Sequence, residues 1–247
     1  MTETPVLDRF WAATEWHKAA NELTYAAPAD PRRLVRVDPA SVERFTGSLR
    51  LDVGLGRVQD GDWDRPERCD RIRETAIYRG LVQRFVDGAD WQETALYEQA
   101  QRRLDDAGSV RGYGDIETFR ATRCAYLDDL YESIRTDGYR PNADATHDNP
   151  SADENPYEDA YAHKLEPLVA IGRTGQTLWT EGYHRFAIAD ILDVDAIPVQ
   201  VLCRHDEWQR VRDDVAESSF DRLRTEFEVD ADHPDLRDVT CRDRSDP

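Results

Sequence analysis

The chain has 247 residues, 39% apolar and 9% aromatic, which is enough for one large domain or two small ones and argues against wholesale disorder. Its formal charge of −19 disfavours nucleic acid as a partner. No apolar run approaches the roughly 18 residues of a membrane span, and Met1–Phe10 does not read as a secretion signal, so a cytoplasmic protein without a membrane partner is expected.

Residues 1–33 read as an N-terminal helical segment, with a helix over 10–23. Leu34-Val35-Arg36-Val37 then alternates as a strand does, and Asp38-Pro39-Ala40-Ser41 opens a turn. Residues 50–115 read as a helical insertion. Within it Ile72, Ala76, Ile77, Leu81, Val82 and Phe85 recur at helical spacing between Arg68 and Val86, Gly88 is a stop, and a shorter helix runs from Trp91 to Leu104. Another helix starts near Asp115, carries Phe119, Leu127, Leu130 and Ile134 on one face, and ends at Gly138. Residues 141–163 are rich in Asp, Asn and Pro and read as a solvated loop. Leu168–Ile171 and Thr177–Thr180 read as strands joined by a hairpin turn at Gly172–Gln176. A short helix over Phe186–Leu192 follows, and then a strand over Ile197–Cys203. Pro198 has no amide donor and belongs at the start or edge of that strand. Residues 206–247 read as a C-terminal helix over 206–228 and a polar, frayed tail from Val229.

Lys18 and Lys164 are the only lysines among the 32 basic residues, and Asp outnumbers Glu 33 to 18. That usage suits a halophilic, acidic proteome, in which concentrated salt shortens the Debye length and screens self-repulsion. The four cysteines (Cys69, Cys124, Cys203, Cys241) form no CxxC pair and the six histidines no HxH or HExxH spacing, so neither gives a metal signature.

The segment that carries chemistry is a strand, then Glu181-Gly182-Tyr183-His184-Arg185, then a helix. A glycine turn into a helix leaves its first amides unpaired and convergent, and with the helix dipole they make an anion site. His184 adds a donor and Arg185 a forked cation, the groups a polyphosphate needs. An exposed Arg185 would be dispensable for stability. Upstream, Asp38 and Glu43 are candidate general bases for a substrate hydroxyl, and Asp62 and Asp64 are candidate ligands for a divalent ion. Equally, these aspartates read as caps, and Trp63 and Trp91 beside them as core anchors. His205 and Trp208 follow the last strand, where they could rim the site.

Five motifs in order resemble the ParB/sulfiredoxin superfamily. They are the strand ending Val37-Asp38-Pro39, the run from Leu127 through Ser133-Ile134 and Gly138 to Pro141, the hairpin with its glycine motif, the Ala189–Leu192 helix, and Ile197-Pro198-Val199-Gln200-Val201. The resemblance implies an α+β fold with a small mixed sheet over 34–49 and 116–205, interrupted by 50–115. It also implies that Gly182, Tyr183, His184 and Arg185 hold nucleotide phosphate (ATP or ADP, or CTP) with Mg²⁺. The glycine loop is most similar to that of the free-serine kinases, with Glu181 and the acids after Val37 as catalytic candidates. Tyr183 stands where sulfiredoxin has its cysteine, and a phenol cannot supply that thiolate. The expected function is a phosphotransferase or nucleotide hydrolase acting on a small hydroxylated molecule. The alternatives are a non-catalytic nucleotide-binding module and a ParB-like DNA-associated regulator.

Overall fold

Nine consecutive buried residues, Ile197–His205, form β7, the strand around which the sheet assembles. The computed structural model describes residues 5–142, 165–217 and 232–240. It shows a mixed α+β chain with a mixed sheet. The other strands are β1 (Val35–Val37), β2 (Arg44–Phe45), β3 (Arg57–Gln59), β4 (Asp70–Arg71), β5 (Leu168–Ile171) and β6 (Thr177–Glu181). Their order is β1-β7-β5-β6-β2-β4, with β3 also paired to β7.

β7 reads as an unbroken apolar run because both of its faces are covered. Alternation sends Val169, Ile171, Trp179, Val199 and Val201 to one side of the sheet, and Leu168, Ala170, Leu178 and Leu202 to the other. β1 runs antiparallel to the first residues of β7, with Pro198 opposite Arg36. The parallel pairing with β5 begins only at Gln200, so the missing amide of Pro198 removes no bond from that ladder. Val169 pairs with Val201 but Ala170 with Cys203, which leaves Leu202 as the extra residue of a bulge.

Helix α1 (Pro5–Thr24) covers the Leu168 face, where Phe10 is fully buried and Asn21 Nδ2 donates to Gly56 O at 2.8 Å. The opposite face carries α2 (Ala76–Phe85), α3 (Ala95–Ala107), α4 (Ile116–Phe119), a π-helical turn (Arg120–Cys124), α5 (Ala125–Asp137) and α6 (Tyr183–Ile191). Thr75 and Thr94 begin α2 and α3, each hydroxyl accepting from an amide of the first turn. The two helices cross at Gly80, where a Cβ would lie 2.5 Å from Leu96 Cβ and 2.7 Å from the Leu96 backbone nitrogen. Backbone cannot yield as a side chain can. Gly80→Ala is therefore expected to destabilise the fold by about 2 kcal/mol despite alanine's better helix propensity. The denaturant midpoint measures this, and an unchanged or raised midpoint would show that the crossing is loose.

Three sequence expectations change. Residues 50–115 are not wholly helical, because they supply β3 to β7 and β4 to β2. Between Arg68 and Val86 the helix proper starts only at Ala76. Ahead of it come β4 and a 3-10 turn at Ile72–Glu74, which use part of the same apolar spacing. The tail from Val229 does not simply fray: after α7 (Asp206–Glu217), residues 232–240 dock on the fold and end in α8 (Arg237–Thr240), with Asp235 and Leu236 at 0% exposure. Nearly all of the 141–163 loop, the later part of the 206–228 helix and Cys241 lie outside the described residues. Among the described residues, no helix is long and apolar enough to cross a membrane. Cys69, Cys124 and Cys203 are free, buried thiols.

Candidate functional site

β6 ends at Glu181, and Gly182 turns the chain into α6 with φ 85° and ψ 34°. Only glycine suits this corner. The backbone is left-handed, and a Cβ would also sit 2.9 Å from Pro167 Cβ. The helix begins at Tyr183, three residues before the sequence spacing indicates, because the left-handed glycine itself is the cap.

The groups after this corner point in different directions. Arg185 is committed to the protein: Nη1 donates to Asn142 Oδ1 at 2.6 Å, Nη2 donates to Leu165 O at 3.3 Å, and Glu166 Oε2 lies 3.6 Å away. Its side chain is only 13% exposed, so the expected exposed and dispensable arginine is instead a buried clamp. The Gly182 amide donates to Glu181 Oε1 at 3.1 Å. Tyr183 meets Phe45 edge-on at 5.0 Å. Burial, with Glu181 and Asp70 nearby, holds its phenol far above the ordinary range, so it stays protonated.

His184 lies on a different surface. It lines a cavity of about 40 Å³ together with Arg103, Arg111, Arg123 and Gln99, and Ile77, Leu96, Val110 and Phe119 are among its apolar walls. Arg103 and Gln99 are one turn apart on α3. Arg111 projects from the loop after that helix, in the left-handed region at φ 52° and followed by Gly112 at φ 82°. For a residue bearing a Cβ that conformation costs on the order of 1 kcal/mol. Arg123 comes from the π-helical turn, whose extra residue re-aims it. Its guanidinium covers Tyr126 at 5.2 Å and its Nη2 donates to His184 Nδ1 at 3.1 Å. Burial, then the charges of Arg123 and Arg111, lower the His184 pKa well below its usual value, so the ring is neutral. Burial and repulsion from Arg123 pull Arg111 down to about 9, which still leaves it charged at neutral pH. Glu181 is the acid that opposes this shift.

The remaining predicted residues do not converge on this cavity. Asp38 caps a 3-10 turn by accepting from the Ala40 amide at 2.8 Å. That turn is held by Arg73, which also forks onto Asp190 at 3.0 and 3.1 Å. Asp190 stands six residues, about 9 Å, along α6 from His184. Glu43 precedes Arg44, which pairs with Leu178, so it lies near the start of β6, about 13 Å of strand from Glu181. Asp64 is buried and accepts from the Arg173 amide and guanidinium at 2.7 to 3.1 Å, while Asp62 accepts from Arg65 and Arg173. Carboxylates neutralised in this way do not fit Mg²⁺. Trp63 and Trp91 are buried anchors. His205 donates from Nε2 to Gly61 O and accepts the Glu207 amide at Nδ1. Both ring nitrogens are thus in use, although Asp206 and Glu207 stand close by. Trp208 donates to Asp235 at 3.0 Å.

Sequence reasoning thus finds His184 but misses Gln99, Arg103, Arg111 and Arg123. A local signal is the glycine that follows Arg111 in Val110-Arg111-Gly112-Tyr113-Gly114. Comparison with family models, with curated proteins and with solved structures finds no match for this chain.

Proposed function

We propose that the arginine-lined cavity is a phosphate site, which takes the terminal phosphoryl group of a nucleotide or similar phosphorylated small molecule. One observation carries the reading. In a chain of charge −19, three irregular backbone features (the left-handed Arg111, the π-helical turn and the Gly182 corner) each deliver a guanidinium or an imidazole to the same cavity. Strained backbone persists where the surroundings over-determine it, and such sites are often functional. A water needs roughly 10–15 Å³ of such volume, so about 40 Å³ holds one phosphoryl-sized group and leaves a sugar and base outside. The sequence resemblance to the ParB/sulfiredoxin superfamily supports a nucleotide as the source of that group. Glu181, whose charge acts on both Arg111 and Arg123 although it is not among the described lining residues, is the candidate base for phosphoryl transfer or hydrolysis.

Thermal unfolding in concentrated salt with ATP, ADP, CTP and GTP, each with and without Mg²⁺, tests the reading. A ligand at one hundred times its Kd adds about 2.7 kcal/mol of apparent stability. Arg103 is exposed, so Arg103→Ala should leave the unliganded protein within about 0.5 kcal/mol of the parent and remove most of the ligand-induced rise. The reading fails if no phosphorylated compound raises the midpoint, or if the variant responds as fully as the parent. Phosphate release or transfer that Glu181→Gln abolishes would assign the catalytic role.

A further inference from the structure

We infer, on the basis of the phosphate-site reading above, that the cavity selects the fully deprotonated terminal group of a phosphate monoester over a phosphodiester or a protonated phosphate. A guanidinium has donors and no acceptor. His184 Nδ1, 3.1 Å from Arg123 Nη2, must therefore be the accepting nitrogen, and the ring's single proton sits on Nε2. His184 thus meets a ligand as a donor, as do Arg103, Arg111 and Arg123. Among the described residues that line the cavity there is no carboxylate, and the Gln99 amide oxygen is the one conventional side-chain acceptor. A dianionic phosphoryl end presents three oxygens that only accept, and it matches this set. A protonated oxygen would have only the Gln99 amide oxygen, among the described lining side chains, to receive its O–H. A diester keeps a single charge and offers two accept-only oxygens instead of three, so it matches the donor set less well.

The surroundings keep that donor pattern fixed. Arg123 is bonded to His184 and Arg111 lines the same cavity, Tyr126 lies under the Arg123 guanidinium, and the charges of Tyr113 and Glu181 act on both arginines. From the elements packed on α6, α2 brings Tyr78, which is bonded to Asp190 at 2.6 Å. α5 brings Asp128, which is closed on Arg84 and Trp91. The 3-10 turn at Pro39–Ser41 brings Asp38, bonded to Ala40. Arg103 stands on α3.

Calorimetric titration of the full chain with methyl phosphate, dimethyl phosphate and sulfate, each across a pH series, tests the inference. The second proton of a phosphate monoester leaves near pH 6, so its dianion fraction falls about tenfold from about pH 7.5 to about pH 5. Methyl phosphate affinity should fall by that factor, while sulfate, a dianion throughout, should hold its affinity. Dimethyl phosphate should bind at least about tenfold more weakly than methyl phosphate at the upper pH. Methyl phosphate binding that is flat with pH would overturn the selectivity and leave the phosphate site standing. A parallel fall with sulfate would do the same, because it places the titration on the protein. Absence of binding by all three ions at the upper pH would remove the phosphate site itself.

Discussion

Asp235→Ala is expected to cost about 3–5 kcal/mol of folding stability, seen as a fall of roughly 10 °C in Tm. The carboxylate is fully buried. Arg204 donates to it from Nη2 at 2.6 Å and from Nε at 2.9 Å, Trp208 Nε1 donates at 3.0 Å, and Arg33 Nη2 lies 3.3 Å away. Arg212, at 0% exposure, donates to the Asp235 carbonyl and reaches its carboxylate at 3.5 Å. Truncation leaves two buried guanidinia short of their shared counter-charge, and that imbalance is the expensive part. Asp235→Asn keeps the shape but not the charge and should fall almost as far. Because the group is buried, the loss should persist in molar salt, unlike that of an exposed pair such as Arg50–Asp52. Burial would raise the Asp235 carboxyl, but Arg204, Arg212 and the Trp208 N–H outweigh it and hold the group well below the usual carboxylate range. The folded-state value is thus depressed. The stabilisation is complete above the unfolded value near 3.9 and is lost as pH falls below it. A cost under about 1 kcal/mol would mean that residues 232–240 rest on the fold without holding it.

Arg185→Ala should also be costly, by about 3 kcal/mol, and it should spare ligand binding. The side chain ties Asn142 to Leu165 and Glu166, and Asn142 in turn donates from its backbone to Glu166 Oε1 at 2.6 Å. Removing the guanidinium takes a cation away from a carboxylate that is 7% exposed. Adding Glu166→Gln to Arg185→Ala removes that charge and should recover part of the loss, with a coupling of about 1–3 kcal/mol in the double-mutant cycle. Anion binding, measured below the variant's midpoint, should survive, whereas Arg103→Ala loses it with the fold intact. The reverse outcome, a stable Arg185→Ala that no longer binds, would return the ligand to the glycine corner itself.

The parts of the fold legible in the sequence are those set by neighbours in the chain. Leu168–Ile171, Gly172–Gln176 and Thr177–Thr180 read as a strand, turn and strand in which apolar runs and a glycine turn agree, and the structure places them there, with the second strand running one residue further to Glu181. Local spacing misleads where a cap overrides it. Ile72 fits a helix with Ala76 and Ile77, yet Thr75 is the N-cap, and Ile72 is buried from a 3-10 turn. The polarity of Asp235 suggested a free tail because its partners, Arg204 and Arg212, are distant in sequence. The cavity was hidden for a similar reason. In a chain whose basic residues are nearly all arginine, Arg103, Arg111 and Arg123 carry no signal until a left-handed residue and a π-helical turn bring them beside His184.

The position of β7 sets the order in which this protein can be made. Its partners β1, β3 and β5 all precede it, so as the chain leaves the ribosome the early strands wait without the hydrogen-bonding edge they need. Val37 has no ladder until Ile197 is synthesised. Such long-range closure slows folding and prolongs exposure of apolar strands to other nascent chains. Truncations ending before residue 197 are therefore expected to be aggregation-prone.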